Sequence, residues 1–81
     1  MSGWHWSRYV IEDGPDQRER IAALRRVASI LSLEVRVEPG AGYTSFHLWA
    51  TLGAAATKAN IAIYMATDEA PTDEAEMPDA D

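Results

Sequence analysis

Leu33-Glu34-Val35-Arg36-Val37-Glu38, then Pro39-Gly40-Ala41-Gly42, then Tyr43-Thr44-Ser45-Phe46-His47-Leu48-Trp49-Ala50-Thr51 is the stretch that decides the fold. Side chains along a strand face alternate ways, so Leu33, Val35 and Val37 share one side while Glu34, Arg36 and Glu38 share the other. The following four residues read as a turn, because their two glycines accept positive φ. Residues 43–51 alternate again, with Thr44, Phe46, Leu48 and Ala50 on one face and Tyr43, Ser45, His47, Trp49 and Thr51 on the other. A link this short makes the two strands an antiparallel hairpin.

Upstream of the hairpin the period changes. Ile21, Leu24, Val27, Ala28 and Leu31 recur at three and four residues, the stripe of a helix that runs to about Ser32. Asp13-Gly14-Pro15-Asp16 supplies its start. Asp13 or Gly14 suits the cap, Pro15 the first turn, and Asp16 the positive end of the dipole. Before it, residues 4–12 (Trp-His-Trp-Ser-Arg-Tyr-Val-Ile-Glu) read as a strand on their aromatic and β-branched content.

Downstream, Leu52 to about Thr67 is alanine-rich and predicts a second helix, with Thr51 or Gly53 near its cap. Leu52, Ala55, Ala56, Ala59, Ala62, Ile63 and Ala66 share one side of it. A rival reading makes residues 60–66 a strand that aligns Ile61, Ile63 and Met65. The expected fold class is α+β. It is a two-layer β-α-β-β-α sandwich with a small antiparallel sheet and its helices on one face, close to a ferredoxin-like motif without a certain last strand.

Charge divides the chain. The formal net charge is −6, and seven of the thirteen acids lie in residues 68–81, which hold no base. Residues 1–67 keep six acids and all seven bases and carry one net positive charge. The expected organisation is a single domain over 1–67 and a disordered acidic tail over 68–81, whose apolar surface is too small to offset ordering entropy. A phosphate mimic, which needs acids fixed on a folded surface, fits this distribution poorly.

Hydrophobic residues make up 47% of the 81, enough for one small core. The chain has no cysteine, which excludes disulfides and thiolate metal sites. Met1-Ser2-Gly3-Trp4-His5-Trp6 lacks the basic-then-apolar order of a secretory signal, and the apolar run Ala59–Ala66 is far below the roughly 20 residues of a membrane span. The expected location is the cytoplasm, away from any membrane.

With both helices on one face, the other face of the sheet stays uncovered. With Tyr9 and Ile11 assigned inward, Trp4, Trp6, Arg8 and Val10 point outward. They join Glu34, Arg36 and Glu38, and Tyr43, His47 and Trp49. Exposed apolar patches mark interaction sites, and Trp, Tyr and Arg are the residues enriched in binding hot spots. The candidate partner-binding residues are therefore Trp4, Trp6, Arg8, Arg36, Tyr43, His47 and Trp49. A second surface is offered by Arg25 and Arg26 on the outer arc of the first helix, beside Arg18, Ala22, Ser29 and Ser32. The competing reading completes the core with these tryptophans: Trp4 and Trp6 fold over a sheet edge, and a register shift of one residue sets Trp49 under the second helix. Ile61, Tyr64 and Met65, opposite the alanine side, imply a dimer mate, another covering partner, or the strand reading.

Catalytic signatures are missing. Gly40-Ala41-Gly42 lies in a hairpin turn and lacks the strand-to-helix setting of a phosphate loop. His5 and His47 could meet across the sheet beside Glu34 or Glu38, but two histidines without ligand spacing do not define a metal site. No catalytic residue, metal or cofactor is expected, and the chain is not expected to be an enzyme.

In its size, charge and lack of catalytic residues the chain resembles phage-encoded anti-CRISPR proteins. That resemblance implies a small, cofactor-free inhibitor that occludes a protein surface, with a CRISPR effector subunit as partner. It carries over no site residues, because such proteins share no common fold. Two alternatives stay open. One is a single-strand nucleic-acid-binding domain that stacks bases on the aromatic face, which the few nearby bases and the acidic tail disfavour. The other is a dimeric structural or assembly protein; both monomer and homodimer are compatible with the sequence.

Overall fold

The computed structural model describes residues 4–51 and 53–76. Along the chain come β1 (His5–Glu12), α1 (Gln17–Ile30), β2 (Glu34–Pro39), β3 (Tyr43–Ala50), α2 (Gly53–Thr67) and β4 (Asp73–Glu76). The strands form one sheet in the order β2-β3-β1-β4, and every neighbouring pair is antiparallel. β1 and β2 therefore run parallel with β3 between them. This split β-α-β, repeated by β3-α2-β4, is the ferredoxin-like arrangement.

The hairpin forms as its alternation predicts. Val35 stands opposite Leu48 and Val37 opposite Phe46 on the helix side, while Glu34, Arg36 and Glu38 line the other side. β1 follows the same parity, with Tyr9 opposite Phe46 and Ile11 opposite Thr44. The core is Tyr9, Ile11, Leu24, Ala28, Phe46, Leu48 and Ile63, with Ile21, Val27, Leu33 and Val37 packed at its rim. Tyr9 and Phe46 meet edge to face, ring centroids 6.4 Å apart.

α1 begins at Gln17, later than its capping sequence suggests, and Asp16 at the N-cap makes no side-chain capping bond. Asp13 accepts instead from Gln17 Nε2 at 2.7 Å, and the same amide reaches Thr44 Oγ1 at 3.0 Å, tying the β1–α1 corner to β3. At the far end Ser32 takes a left-handed φ of 58°. Its N–H donates to the Ser29 carbonyl and that of Leu33 to the Ala28 carbonyl, which is the Schellman closure with serine where glycine is usual. The helix stops at Ile30, so Leu31, expected on the buried stripe, is 39% exposed.

α2 is a helix, and the strand alternative for residues 60–66 is overturned. Ala56, Ala59 and Ile63 are buried against the sheet, the two alanines as small residues and Ile63 as part of the core. Ala55 and Ala66, expected on the same side, are exposed. Leu52 lies outside the described residues. Asp68, with φ of 64°, ends the helix by donating its N–H to the Tyr64 carbonyl at 2.8 Å.

The acidic tail departs from expectation. Asp73–Glu76 pairs antiparallel with β1 as the fourth strand, so ordered chain continues nine residues past Thr67. Composition conceals this strand, because Asp-Glu-Ala-Glu has low strand propensity and all four residues are exposed. Backbone pairing on the free edge of β1 holds it, starting with Thr72 N–H on the Arg8 carbonyl at 2.7 Å. The rest of the expected disordered segment, residues 77–81, lies outside the described residues.

Candidate interaction surface on the open sheet face

Three cross-strand rows make up the face that no helix covers. Trp6 stands opposite Trp49, and Trp49 opposite Glu34. Arg8 is opposite His47, and His47 opposite Arg36. Val10 is opposite Ser45, and Ser45 opposite Glu38. This placement follows from the period of two together with a register that buries Tyr9 and Ile11 on the reverse side.

The aromatic rings form a cluster. Trp6 and Trp49 have centroids 6.5 Å apart, Trp6 and His47 6.2 Å apart, and both pairs are tilted by 54°. Trp6 and Trp49 are half-buried, whereas Trp4, just before β1, is 42% exposed. Trp4 and Trp49 line a cleft of about 320 Å³ together with Glu34, Val35 and Arg36.

The charged residues of this face differ in freedom. Arg8 lies 3.3 Å from Asp73 Oδ2 and 3.4 Å from Ser45 Oγ, so β4 holds its guanidinium. Arg36 is exposed at the cleft. His47 Nδ1 is 3.6 Å from Glu38 Oε1, beyond hydrogen-bond reach, and is buried with no hydrogen-bond partner. Tyr43 sits at the opposite end of the sheet. Its ring lies over Gly40 so closely that a Cβ there would come within 2.5 Å of it. It therefore closes the hairpin, remote from the tryptophans.

Arg25 and Arg26 are exposed on α1, behind the sheet, and form a surface separate from the tryptophan cluster. His5 and His47 do not meet. His5 pairs with Ala50 on the helix side and His47 with Arg8 on the open side, because their positions in the paired strands have opposite parity. His5 Nε2 instead faces Glu74 Oε1 at 3.3 Å. Among the described residues no three metal-ligating side chains gather, and no helix is long and apolar enough to cross a membrane.

Beneath α2 lies a polar chain that sequence reasoning missed. Tyr9 donates its hydroxyl to Asn60 Oδ1 at 2.7 Å, and Asn60 Nδ2 donates to Ser7 Oγ at 3.0 Å. Burial, and secondarily the charge of Glu74, pushes the Tyr9 hydroxyl well above its ordinary value, so the phenol stays protonated as this donation requires. Arg20 on α1 clasps both carboxylate oxygens of Glu69, the second at 2.9 Å from its terminal nitrogen. That hydrogen bonding raises the Arg20 pKa. Both contacts span about fifty residues of sequence and leave no local pattern. They are structural ties within the fold.

No family model matches the chain, and no curated protein matches it.

Proposed function

We propose that this protein is a small non-catalytic binding module that grips a protein partner with its open sheet face and acts as an inhibitor by occluding a surface of a larger complex. The observation that carries the reading is the Trp6–Trp49 pair on a face without a covering layer, extended by an exposed Trp4 and an unpaired cleft. Indoles in such a place cost solubility unless something covers them, and they are the side chains that dominate binding energy when it does. Arg36 beside the cleft supplies a directional donor. The general likeness to anti-CRISPR proteins makes a CRISPR effector subunit the partner to test first.

The test is biological and structural together. The chain is expressed in a CRISPR-active host challenged with a phage that the host's guides target. Restored plaquing by wild type, lost in Trp4→Ala and Trp49→Ala proteins that remain folded, supports the proposal. Undiminished immunity across the major effector types removes the CRISPR assignment. A folded Trp4→Ala, Trp49→Ala double variant that inhibits like wild type removes the surface assignment.

A second reading draws on one observation: the aromatic residues sit on the two central strands of a four-stranded sheet, where RNA-recognition domains stack bases. Glu34 and Glu38 on this face and the Arg8–Asp73 contact leave Arg36 as the face's exposed cation, which favours the protein reading. Binding to an oligonucleotide that weakens steeply with salt would select nucleic acid instead.

A further inference from the structure

The two edges of the sheet are unlike. β4 is four residues long and presents Asp73, Glu74 and Glu76, so two copies of that edge repel. β2 is six residues long and ends the sheet on the other side. The Gly40 N–H donates to the Tyr43 carbonyl at 2.7 Å, which identifies that pair as the hydrogen-bonded kind. Alternation along an antiparallel ladder then turns the backbone groups of Glu34, Arg36 and Glu38 toward β3 and those of Val35 and Val37 outward. Pro39 fits this phase, since its missing N–H faces the free edge and costs the ladder nothing.

We propose that the β2 edge pairs antiparallel with β2 of a second copy of this chain, about a two-fold axis at Val35. Axes at Val35 and at Val37 both have the right phase, and both set Arg36 against a glutamate. The axis at Val35 is taken because it also pairs Leu33 with Val37, rather than Val35 with Pro39, and brings both Val35 side chains to the hollow beside Leu33. With Val35 opposite Val35, Glu34 of each chain faces Arg36 of the second copy, and Leu33 faces Val37. The register centred on Arg36 sets Arg36 against itself and Glu34 against Glu38, so like charges oppose it. Four backbone hydrogen bonds form: two between the Val35 residues, and one from each Val37 N–H to a Leu33 carbonyl. The Leu33 N–H stays with Ala28.

The helix side of this edge is prepared for a neighbour. α1 leaves β2 partly bare: Val35 points to the core side yet is 36% exposed. A hollow of about 300 Å³ lies beside it, lined by Arg25, Ser29, Leu33 and Val35. The second copy's Val35 and Leu33 fill that space, whose lining the first copy leaves exposed at Arg25, Ser29 and Val35. This dimer does not rest on the reading of the open face, although Glu34, Val35 and Arg36 border the tryptophan cleft as well, so its test reads self-association and not capture of another protein.

Sedimentation equilibrium of the purified chain across micromolar to millimolar concentration tests it. Wild type is expected to dimerise, more weakly in high salt. Val35→Pro deletes an outward N–H and exchanges one partly exposed apolar side chain for another, so it is expected to fold and remain monomeric. Arg36→Glu turns two cross-strand pairs repulsive and is expected to weaken the dimer about tenfold. The swap Glu34→Arg with Arg36→Glu restores the opposition of signs and is expected to restore the dimer. A wild type that stays monomeric at millimolar concentration overturns the proposal, as does a folded Val35→Pro that still dimerises. Should Val35→Pro unfold, the charge series decides alone: equal association of wild type, Arg36→Glu and the swap rejects the register.

Discussion

Trp6 and Trp49 face each other across the two central strands, 6.5 Å between ring centroids, and each is half-buried. The pair is both a piece of the fold's surface packing and the centre of the proposed grip, whereas Trp4 is the most exposed of the three indoles. The two roles are therefore separable by substitution.

Trp4→Ala should cost less stability than Trp6→Ala, because Trp4 is the more exposed of the two, while weakening partner binding by at least about tenfold. Trp6→Ala should cost about 1–2 kcal/mol, because it removes a cross-strand aromatic pair and its burial. Urea denaturation beside a binding assay distinguishes these. A Trp4→Ala protein as destabilised as Trp6→Ala would place Trp4 in the core.

Tyr9→Phe strips the donor from Asn60 Oδ1 under α2 and should destabilise by about 1–3 kcal/mol, the range for an orphaned buried polar group. The double change Tyr9→Phe with Asn60→Leu should cost less than the sum of the single costs. Additivity in that double-mutant cycle would disprove the coupling.

The same hydroxyl sets an alkaline limit. Its folded pKa is raised above the unfolded value near 10, so the folded state holds this proton more tightly. The contribution is complete below about pH 10 and drains away as pH rises through the folded value. Thermal midpoints should fall with pH above about 10 in wild type, and more shallowly in Tyr9→Phe. Parallel slopes in the two proteins would rule this out.

Ser32 holds a left-handed φ of 58° at the Schellman closure of α1. Ser32→Gly should relieve the Cβ strain and, after the extra backbone entropy of glycine, stabilise by about 0.5 kcal/mol. The denaturation midpoint reports it. A lower midpoint would mean that the hydroxyl contributes more than the strain costs.

Removing residues 72–81 strips β4 from β1, together with the Thr72–Arg8 backbone bond and the Asp73 and Glu74 side-chain contacts. Such a protein should lose about 1–3 kcal/mol of stability, since it loses several hydrogen bonds of about 1 kcal/mol each and bares the edge of β1. Unchanged stability would mean that this strand does not hold in solution.

Where side-chain type repeats with the period of the backbone, the sequence was readable. Val35, Val37, Phe46 and Leu48 announced one face of the hairpin, and Leu24 and Ala28 the buried line of α1. Local chemistry was less reliable at the ends of elements. Asp13 looked like a cap and instead anchors Gln17, because the Gly14–Asp16 turn intervenes before the helix starts. The open face was legible by parity, but parity does not say that Tyr43 bends back over Gly40 or that Arg8 is held by Asp73.

By itself the sequence determined the hairpin strands, the first strand and the first helix, and most of which side chains share a face there, because both depend on near neighbours and on a fixed period; whether residues 60–66 are helix or strand it left open. Only the tertiary structure decided that Asp73–Glu76 closes the sheet, that Asn60 joins Tyr9 to Ser7, and that β2 is left as an open edge. Those features depend on strands and helices meeting from fifty or more residues apart, and on which backbone groups remain unpaired once they have met. No local pattern of residues encodes either.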